Sequence, residues 1–293
     1  MTRFQGTLTA IVTPLADDQV DEKALRDLVE RQIEGGIDGL VPCGTTGEGA
    51  TLSEQEASRV VRIVVEQTRK RVPVVAGTGT ASTSKTIHLS QNAREAGADG
   101  LLVVTPYYNR PSPAGLLAHY RAVLAAVPLP TILYNIPGRT GVDLGLDTLA
   151  ELAAIPTLVG VKEATGNVLR SQQILARFGD RFDVLSGDDA LTLGIVAAGG
   201  AGVISVTSNV LPREVGDVVR LARKGDLAGA RSLHMRLLPV HEAMFVESNP
   251  GPVKAAMHAR GWLAPEVRLP LVWPGEVSVG KVKAALAAAG LAG

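Results

Sequence analysis

The chain has 293 residues, 46% of them hydrophobic, and its 29 basic residues are balanced by 29 acidic ones. This length fits one large α/β barrel or two domains, and the zero net charge argues against a nucleic-acid-binding protein. The single cysteine, Cys43, excludes an internal disulfide and favours a cytoplasmic location. The chain opens without the basic and apolar regions of a secretory signal, and no dense basic run suggests a membrane partner.

Eight short apolar runs recur along the chain, with helical segments between them. Nearly continuous apolar runs are typical of parallel strands that are buried on both faces. Eight βα units favour a closed (β/α)8 TIM barrel over a doubly wound sheet, since no GxGxxG motif follows the first strand. The predicted strands are residues 7–13, 39–43, 72–77, 100–105, 131–135, 158–162, 182–186 and 202–206.

Helix signals separate these strands. Asp21 precedes an apolar stripe and is predicted to cap a helix, and Ser53 and Glu56 have the spacing of a capping box. The uncharged stretch 190–212 is long enough to span a bilayer, but its glycines and polar end predict a buried helix, a turn and a buried strand in a soluble protein. We expect the barrel to occupy residues 1–224, and residues 225–293 to form a helical appendage with breaks at Pro239 and three later prolines.

The C-terminal ends of barrel strands carry the chemistry in this fold, and unusual polar residues follow several of the predicted strands. The second strand leads into CGTTGE at 43–48, where close glycines let backbone N–H groups form a cradle for a carboxylate. An ordinary tight turn is the alternative interpretation of this fragment. Three of the four tyrosines also follow strands: Tyr107 and Tyr108 after the fourth, and Tyr134, with Arg139 close behind, at the fifth.

Lys162 ends the sixth predicted strand, and no other lysine follows a buried-strand pattern so directly. Burial penalises the ammonium form and lowers its pKa by up to about 3–5 units. A neutral amine attacks a carbonyl carbon and forms a Schiff base. The alternative is a lysine that extends to the barrel rim or pairs with Glu163.

Other reactive groups do not form a recognisable site. The five histidines fall in helical segments away from the strand ends, without metal-ligand spacing, so we expect no metal and no cofactor. Cys43 has no evident histidine partner and is expected to be a buried, inert thiol. The segment 186–189 after the seventh strand, with Asp188 and Asp189, is expected to cap the next helix rather than to hold a metal. The residues at the barrel mouth therefore suit imine chemistry on a small acid.

Six segments together resemble the dihydrodipicolinate synthase family, within the pyruvate-dependent class I aldolase superfamily. The resemblance implies a condensation of pyruvate with L-aspartate 4-semialdehyde, in lysine and diaminopimelate biosynthesis. It extends from the first strand to NPGPVK at 249–254. The segments are GTTGE at 44–48, TPYYNRPS at 105–112, YNIPGRTG at 134–141, GVKEATGN at 160–167, LSGDD at 185–189 and GVISVTSN at 202–209.

The resemblance also implies a role for each catalytic residue. Lys162 would form the Schiff base with pyruvate, and Tyr134 would move protons during imine formation and the later C–C bond step. Thr46 and Tyr108 would complete a proton relay, with Tyr108 supplied by a neighbouring subunit. Hydroxyl groups in line pass a proton without stable charge separation, although each is a poor base alone.

Four residues are implied to bind the substrates. The backbone N–H groups of Thr45 and Thr46 would hold the pyruvate carboxylate, and the Ile204 backbone would lie beside it. Arg139 would bind the semialdehyde carboxylate with its bidentate fork. This arginine favours a synthase over the related N-acetylneuraminate lyases and sugar-acid aldolases, whose second substrates are polyhydroxylated. A non-catalytic binding homologue is the remaining alternative.

The family is commonly a homotetramer, a dimer of tight dimers, in which Tyr107 and Tyr108 would interlock across the tight interface. Some members are inhibited by lysine at that interface. In those members an acidic residue and a histidine occupy the positions of Lys85 and Glu54, and another histidine matches Ala57. Because a cationic Lys85 repels the ammonium groups of lysine, we expect inhibition to be weak or absent.

Overall fold

The computed structural model describes residues 4–291, in which eight parallel strands form a barrel. The strands are β1 (Gly6–Thr9), β2 (Gly39–Leu40), β3 (Val75–Gly77), β4 (Gly100–Val104), β5 (Thr131–Asn135), β6 (Leu158–Glu163), β7 (Asp183–Ser186) and β8 (Gly202–Ser205). β1 pairs with β8 on one side and β2 on the other, and hydrogen-bonded neighbours continue round to β3. A parallel bridge between Leu40 of β2 and Val74, just before β3, closes the ring, and the predicted barrel is confirmed.

Helices connect successive strands, and a small hairpin (Leu15–Ala16 with Gln19–Val20) follows β1. The predicted caps are confirmed: the Asp21 side chain accepts from the Ala24 N–H at 2.9 Å, and Ser53 and Glu56 form a capping box. The helices of the barrel are α1 (Glu22–Glu34), α2 (Glu54–Thr68), α3 (Thr83–Glu95), α4 (Pro113–Ala126), α5 (Pro137–Thr140), α6 (Leu146–Leu152), α7 (Val168–Phe178), α8 (Thr192–Ala197) and α9 (Pro212–Arg223).

Two apolar layers place the functional side chains inside the barrel. Successive strand residues point to opposite faces, so that Ile132 and Tyr134 of β5 join the interior cluster while Leu133 packs outward against the helices. In β6, Val161 packs outward and the next residue, Lys162, faces the interior. The parallel ladder pairs Tyr134 with Lys162 directly. The two side chains therefore lie next to each other at the C-terminal end of the barrel.

Three further helices follow the barrel: α10 (Leu227–Ala243), α11 (Gly251–His258) and α12 (Glu276–Ala288). Leu237, Val253 and Met257 belong to the same hydrophobic core as the outer layer of the barrel, so the C-terminal helices share that core. The expected break at Pro239 is wrong. Pro239 lies on the exposed face of α10, where the carbonyl group that loses its helical partner is open to water.

The uncharged stretch 190–212 contains α8 and β8, as predicted. Among residues 4–291, no helix combines the length and the apolar character that a bilayer-spanning segment requires.

Candidate active site

The turn after β2 presents unpaired backbone donors to the barrel mouth. It is closed by the Glu48 N–H, which donates to Thr45 O at 3.1 Å, and by the Gly49 N–H, which donates to Gly44 O at 3.1 Å. Gly49 is required because a Cβ there would lie 2.1 Å from the Cys43 carbonyl oxygen. Within residues 4–291, neither the Thr45 nor the Thr46 N–H donates to a protein acceptor. These two amides form a cradle of the kind that binds anions.

Lys162 is the buried amine of the site. Its side chain is only 5% exposed, and its Nζ lies 4.2 Å from the centroid of the Tyr134 ring. Gly187 leaves room for it, because a Cβ at that position would lie 3.1 Å from Lys162 Cε. The alternative pairing with Glu163 is not made: that carboxylate accepts from Thr165 N–H at 2.8 Å and from the Asn135 side chain.

Burial lowers the pKa of the Lys162 ammonium to about 8. The negative charge of Asp189 partly offsets this effect, and the positive charge of Arg139 adds to it. At pH 7, roughly a tenth of the amine is then neutral and able to attack a carbonyl carbon. The predicted buried lysine has the electrostatic environment that imine formation requires.

Two threonines of the turn after β2, Thr45 and Thr46, are candidates for a proton relay with Tyr134. Burial raises the pKa of Tyr134 to about 12, while the Arg139 charge and the nearby Thr45 side chain oppose that rise. The Thr46 side chain has a different partner: its buried Oγ1 accepts from Asn249 Nδ2 at 3.0 Å. The predicted relay role of Thr46 therefore stays a prediction, and the hydroxyl adjacent to Tyr134 is that of Thr45.

A cavity of about 500 Å³ opens at this end of the barrel, and Thr45, Tyr107, Tyr134 and Arg139 are among its lining residues. Arg139 is exposed on the short helix α5 and has no ion-pair partner within the part of the chain that the structure describes. The cavity thus offers part of the anion cradle, hydroxyl groups and one available guanidinium. Lys162 is not among its lining residues, and its buried amine lies against the ring of Tyr134, which is one of them. Ile204 of β8 lies in the interior cluster that also contains Tyr134.

Tyr108 lies outside its own site. It occupies the tip of a three-residue turn in which Asn109 N–H donates to Tyr107 O at 2.8 Å, and its φ is 70°. A γ-turn with positive φ is strained for a residue with a side chain. Tyr108 is 93% exposed and is not among the residues that line the cavity. A large aromatic side chain is therefore held in the solvent at the edge of the site.

A sequence model of the dihydrodipicolinate synthetase family matches residues 3–289. The chain is a member of the dihydrodipicolinate synthetase family. The recognition made from its motifs is confirmed, as are the enzyme class of Schiff-base carbon–carbon lyases and the synthase activity that the motifs predicted.

Three relatives illustrate the match to this family. The 4-hydroxy-tetrahydrodipicolinate synthase of Geobacter sp. (strain M21) is 56% identical over 281 residues, which cover 96% of this chain and 97% of that protein. The dihydrodipicolinate synthase of Acinetobacter baumannii, solved with pyruvate, has a TM-score of 0.96 and 44% identity, and the alignment covers 98% of this chain and 99% of that one. The enzyme of Cyanidioschyzon merolae, solved with lysine bound, has a TM-score of 0.95 and 37% identity, with 99% and 100% covered.

Two residues that complete this dihydrodipicolinate synthetase site, Asp189 and Asn249, could not be assigned to it from the sequence. Asp189, which the sequence suggested only as part of a helix cap, accepts from the Val206 and Thr207 N–H groups at 2.9 Å each and places a buried negative charge near Lys162. Asn249 orients Thr46 from the C-terminal region. The motif LSGDD marked Asp189 as a polar residue after a strand, but only the fold brings its charge to the lysine.

Asp188, Cys43 and His241 are further titratable residues in or near the turns that follow the strands. The predicted cap is confirmed, since the Asp188 side chain accepts from Ala190 N–H at 2.9 Å. Cys43 is buried as predicted, and burial raises the pKa of its thiol to about 12. One expectation was wrong: His241 does reach a strand end, because α10 packs against α8, α9 and the turn after β7 and places the His241 Nδ1 2.9 Å from Thr207 Oγ1, just after β8. Among the described residues, no cluster of potential metal ligands is present.

Proposed function

We propose that the chain condenses pyruvate with L-aspartate 4-semialdehyde through a Schiff base on Lys162, as a step of lysine and diaminopimelate biosynthesis. The observation that carries this assignment is the Lys162 amine, buried against the Tyr134 ring with its pKa lowered to about 8. The names of relatives that are 50–56% identical over nearly the whole chain support the reaction. A cytoplasmic location remains part of the proposal and is supported by the single cysteine.

The reaction needs no cofactor in this scheme. The neutral amine of Lys162 attacks the keto carbon of pyruvate, and water leaves as the imine forms. Loss of a proton from the methyl group converts the imine into an enamine, whose terminal carbon attacks the aldehyde carbon of the second substrate. The Thr45 and Thr46 amides hold the pyruvate carboxylate, with the Ile204 backbone beside it. Arg139 holds the carboxylate of the semialdehyde.

Tyr134 is the proton carrier in this proposal. Its ring centroid lies 4.2 Å from the Lys162 amine. A pKa near 12 keeps its hydroxyl protonated, so that it acts by exchanging protons with a neighbouring hydroxyl rather than as a free phenolate. The Thr45 side chain lines the same cavity as Tyr134 and lowers its pKa, which supports Thr45 as that neighbour. Thr46, the residue first assigned to the relay, then acts through its backbone N–H, since Thr45 and not Thr46 is among the residues that line the cavity.

Tyr108 completes the relay from a second copy of the chain. The proposal rests on its exposure and its strained turn, which are understandable if the side chain is inserted into a partner's site. A reciprocal exchange requires a two-fold dimer, and two such dimers would form the expected homotetramer.

Mixed assemblies of Tyr108→Phe and Lys162→Met chains test this exchange. Each variant alone is expected to lose on the order of 10²-fold or more of its activity. When the two are co-expressed, a Lys162 from one chain meets a Tyr108 from the other, and random pairing leaves about a quarter of the sites complete. Activity near that level is the expected steady-state result. Activity no higher than that of the separate variants would mean that Tyr108 serves its own chain.

Lysine is expected to inhibit this enzyme weakly or not at all. Lys85 lies on the cavity with its Nζ 3.7 Å from Glu54 Oε1, and Ala57 lines the same wall. The Lys85 charge repels the ammonium groups of the amino acid. A steady-state titration should show no half-inhibition at sub-millimolar lysine, and Lys85→Glu should increase sensitivity. Half-inhibition of the unaltered enzyme at sub-millimolar lysine would contradict this prediction.

A paired substrate assay tests the proposed function against its closest alternative. Pyruvate with L-aspartate 4-semialdehyde is expected to be consumed, and N-acetylneuraminate is expected to remain uncleaved, because Arg139 suits a short substrate with a carboxylate better than a polyhydroxylated one. Cleavage of N-acetylneuraminate at a comparable rate would favour a lyase. Failure to turn over either substrate would favour a non-catalytic binding protein.

A further inference from the structure

A fully buried ion pair connects the C-terminal region to the turn after β2. The side chains of Glu48 and Lys254 are 1% and 0% exposed, and the Lys254 ammonium donates to the Glu48 carboxylate and to Glu266 O, the latter at 3.0 Å. The second Glu48 oxygen accepts from the Arg268 N–H at 2.8 Å. A buried pair of this kind adds little net stability over an apolar replacement. No step of the proposed reaction uses either charge.

Glu48 belongs to the backbone of the anion cradle. Its N–H closes the turn on Thr45 O at 3.1 Å, and its own carbonyl accepts from the Thr51 N–H at 3.0 Å. Its φ of 54° lies in the left-handed region, where a residue with a side chain is strained. A side chain anchored at both carboxylate oxygens therefore fixes the path of the backbone three residues beyond Thr45.

A second tie comes from the same region of the chain. Asn249, two residues before α11, donates from Nδ2 to Thr46 Oγ1 at 3.0 Å. Lys254 lies within α11, and Arg268 follows it. The cradle is thus held by the segment 249–268, which lies about two hundred residues away in sequence and outside the barrel strands.

We propose that the Glu48–Lys254 pair is a positioning device, which holds the Thr45 and Thr46 N–H groups in the orientation that binds the carboxylate of a 2-oxo acid. This inference rests on the proposed role of the cradle in pyruvate binding. It gives the C-terminal helices a function in substrate affinity. Neither Glu48 nor Lys254 touches the reacting atoms in this account.

The test is the double variant Glu48→Gln/Lys254→Met, which removes both charges, keeps the side-chain volumes and leaves an amide oxygen for the Arg268 N–H. We expect the pyruvate concentration for half-maximal turnover to rise on the order of tenfold. The kcat at saturating pyruvate and the KM for the semialdehyde should change by less than about twofold. The variant weakens pyruvate binding equally in the ground state and in the transition state, which raises the KM for pyruvate alone. A purely structural role would not separate the two substrates.

The matched control is Glu22→Gln/Arg59→Met, which removes an exposed ion pair with a 2.7 Å contact and should leave both KM values unchanged. A folded double variant at positions 48 and 254 with an unaltered KM for pyruvate would overturn the proposal. If that variant is too unstable to assay, Glu48→Asp, which keeps both charges and shortens the link by one methylene, decides by the same comparison.

The outcome is separable from the proposed function itself. Borohydride trapping at saturating pyruvate should still modify Lys162 in the double variant. Trapping that fails in the unaltered enzyme would refute the Schiff-base proposal, whereas trapping that succeeds with an unshifted pyruvate dependence in the variant refutes only the positioning role.

Discussion

Lys162→Met is expected to abolish turnover and pyruvate trapping while leaving the protein folded. The substitution removes the only amine placed beside Tyr134 among the described residues, and methionine fills nearly the same buried volume. Loss of a covalent nucleophile costs on the order of 10⁴-fold or more in kcat. The measurement is the steady-state rate with both substrates. A residual rate within tenfold of the unaltered enzyme would remove Lys162 from the chemistry.

Thermal unfolding provides the control for this variant and a test of the buried charge. Below pH 8 the Lys162 amine is protonated in both states, and the buried charge destabilises the folded protein. In the unfolded chain the pKa of Lys162 is the ordinary 10.5. As the pH rises from about 8 towards 10.5, Lys162 therefore loses its proton in the folded protein first, and the free-energy cost of burying the charge disappears. Lys162→Met should therefore be more stable than the unaltered enzyme at pH 7, by up to about 3 kcal/mol. The difference should shrink as the pH rises to 10, and a difference that does not change with pH would indicate a solvated amine.

Arg139→Ala is expected to impair the use of the semialdehyde while leaving the formation of the pyruvate adduct nearly unchanged. The Arg139 guanidinium lines the cavity without an ion-pair partner in the described part of the chain, and a charge-assisted bidentate bond to a carboxylate is among the strongest hydrogen bonds in proteins. We expect kcat/KM for L-aspartate 4-semialdehyde to fall on the order of 10²-fold. The fraction of protein trapped with borohydride at saturating pyruvate should change by less than about twofold.

Two further variants make the Arg139 result interpretable. Arg139→Lys keeps the charge without the planar fork and should recover part of the loss. Arg121→Ala removes an arginine that pairs with Glu151 at 2.9 Å on the protein surface, and both substrate dependences should stay unchanged. An equal loss of trapping and semialdehyde turnover in Arg139→Ala would assign this residue to the pyruvate step instead.

The order of strands and the place of the lysine could be predicted because both depend on local pattern. Parallel strands buried on both faces give continuous apolar runs, so a charged Lys162 at the end of such a run is conspicuous. Tyr134 is conspicuous in the same way at the end of the neighbouring strand, and the parallel pairing of β5 with β6 places it next to Lys162. A rule about strand ends was therefore sufficient for the centre of the site.

The choice between Thr45 and Thr46 could not be made from the sequence. The two residues are adjacent, and which hydroxyl faces Tyr134 depends on the path of a turn with left-handed residues at Cys43 and Glu48. The Glu48–Lys254 ion pair could not be predicted from the sequence for a different reason. Its partners are separated by 206 positions, so no local pattern connects them, and a charged side chain at either position is usually solvated.

Whether Lys162 carries the imine is measured by trapping with pyruvate and borohydride, followed by peptide mass analysis. We expect a single reduced pyruvyl adduct on the peptide that contains Lys162, formed without the semialdehyde and absent from Lys162→Met. Turnover of both substrates with no adduct on that peptide, or an adduct on another lysine, would show that the reaction does not proceed through Lys162.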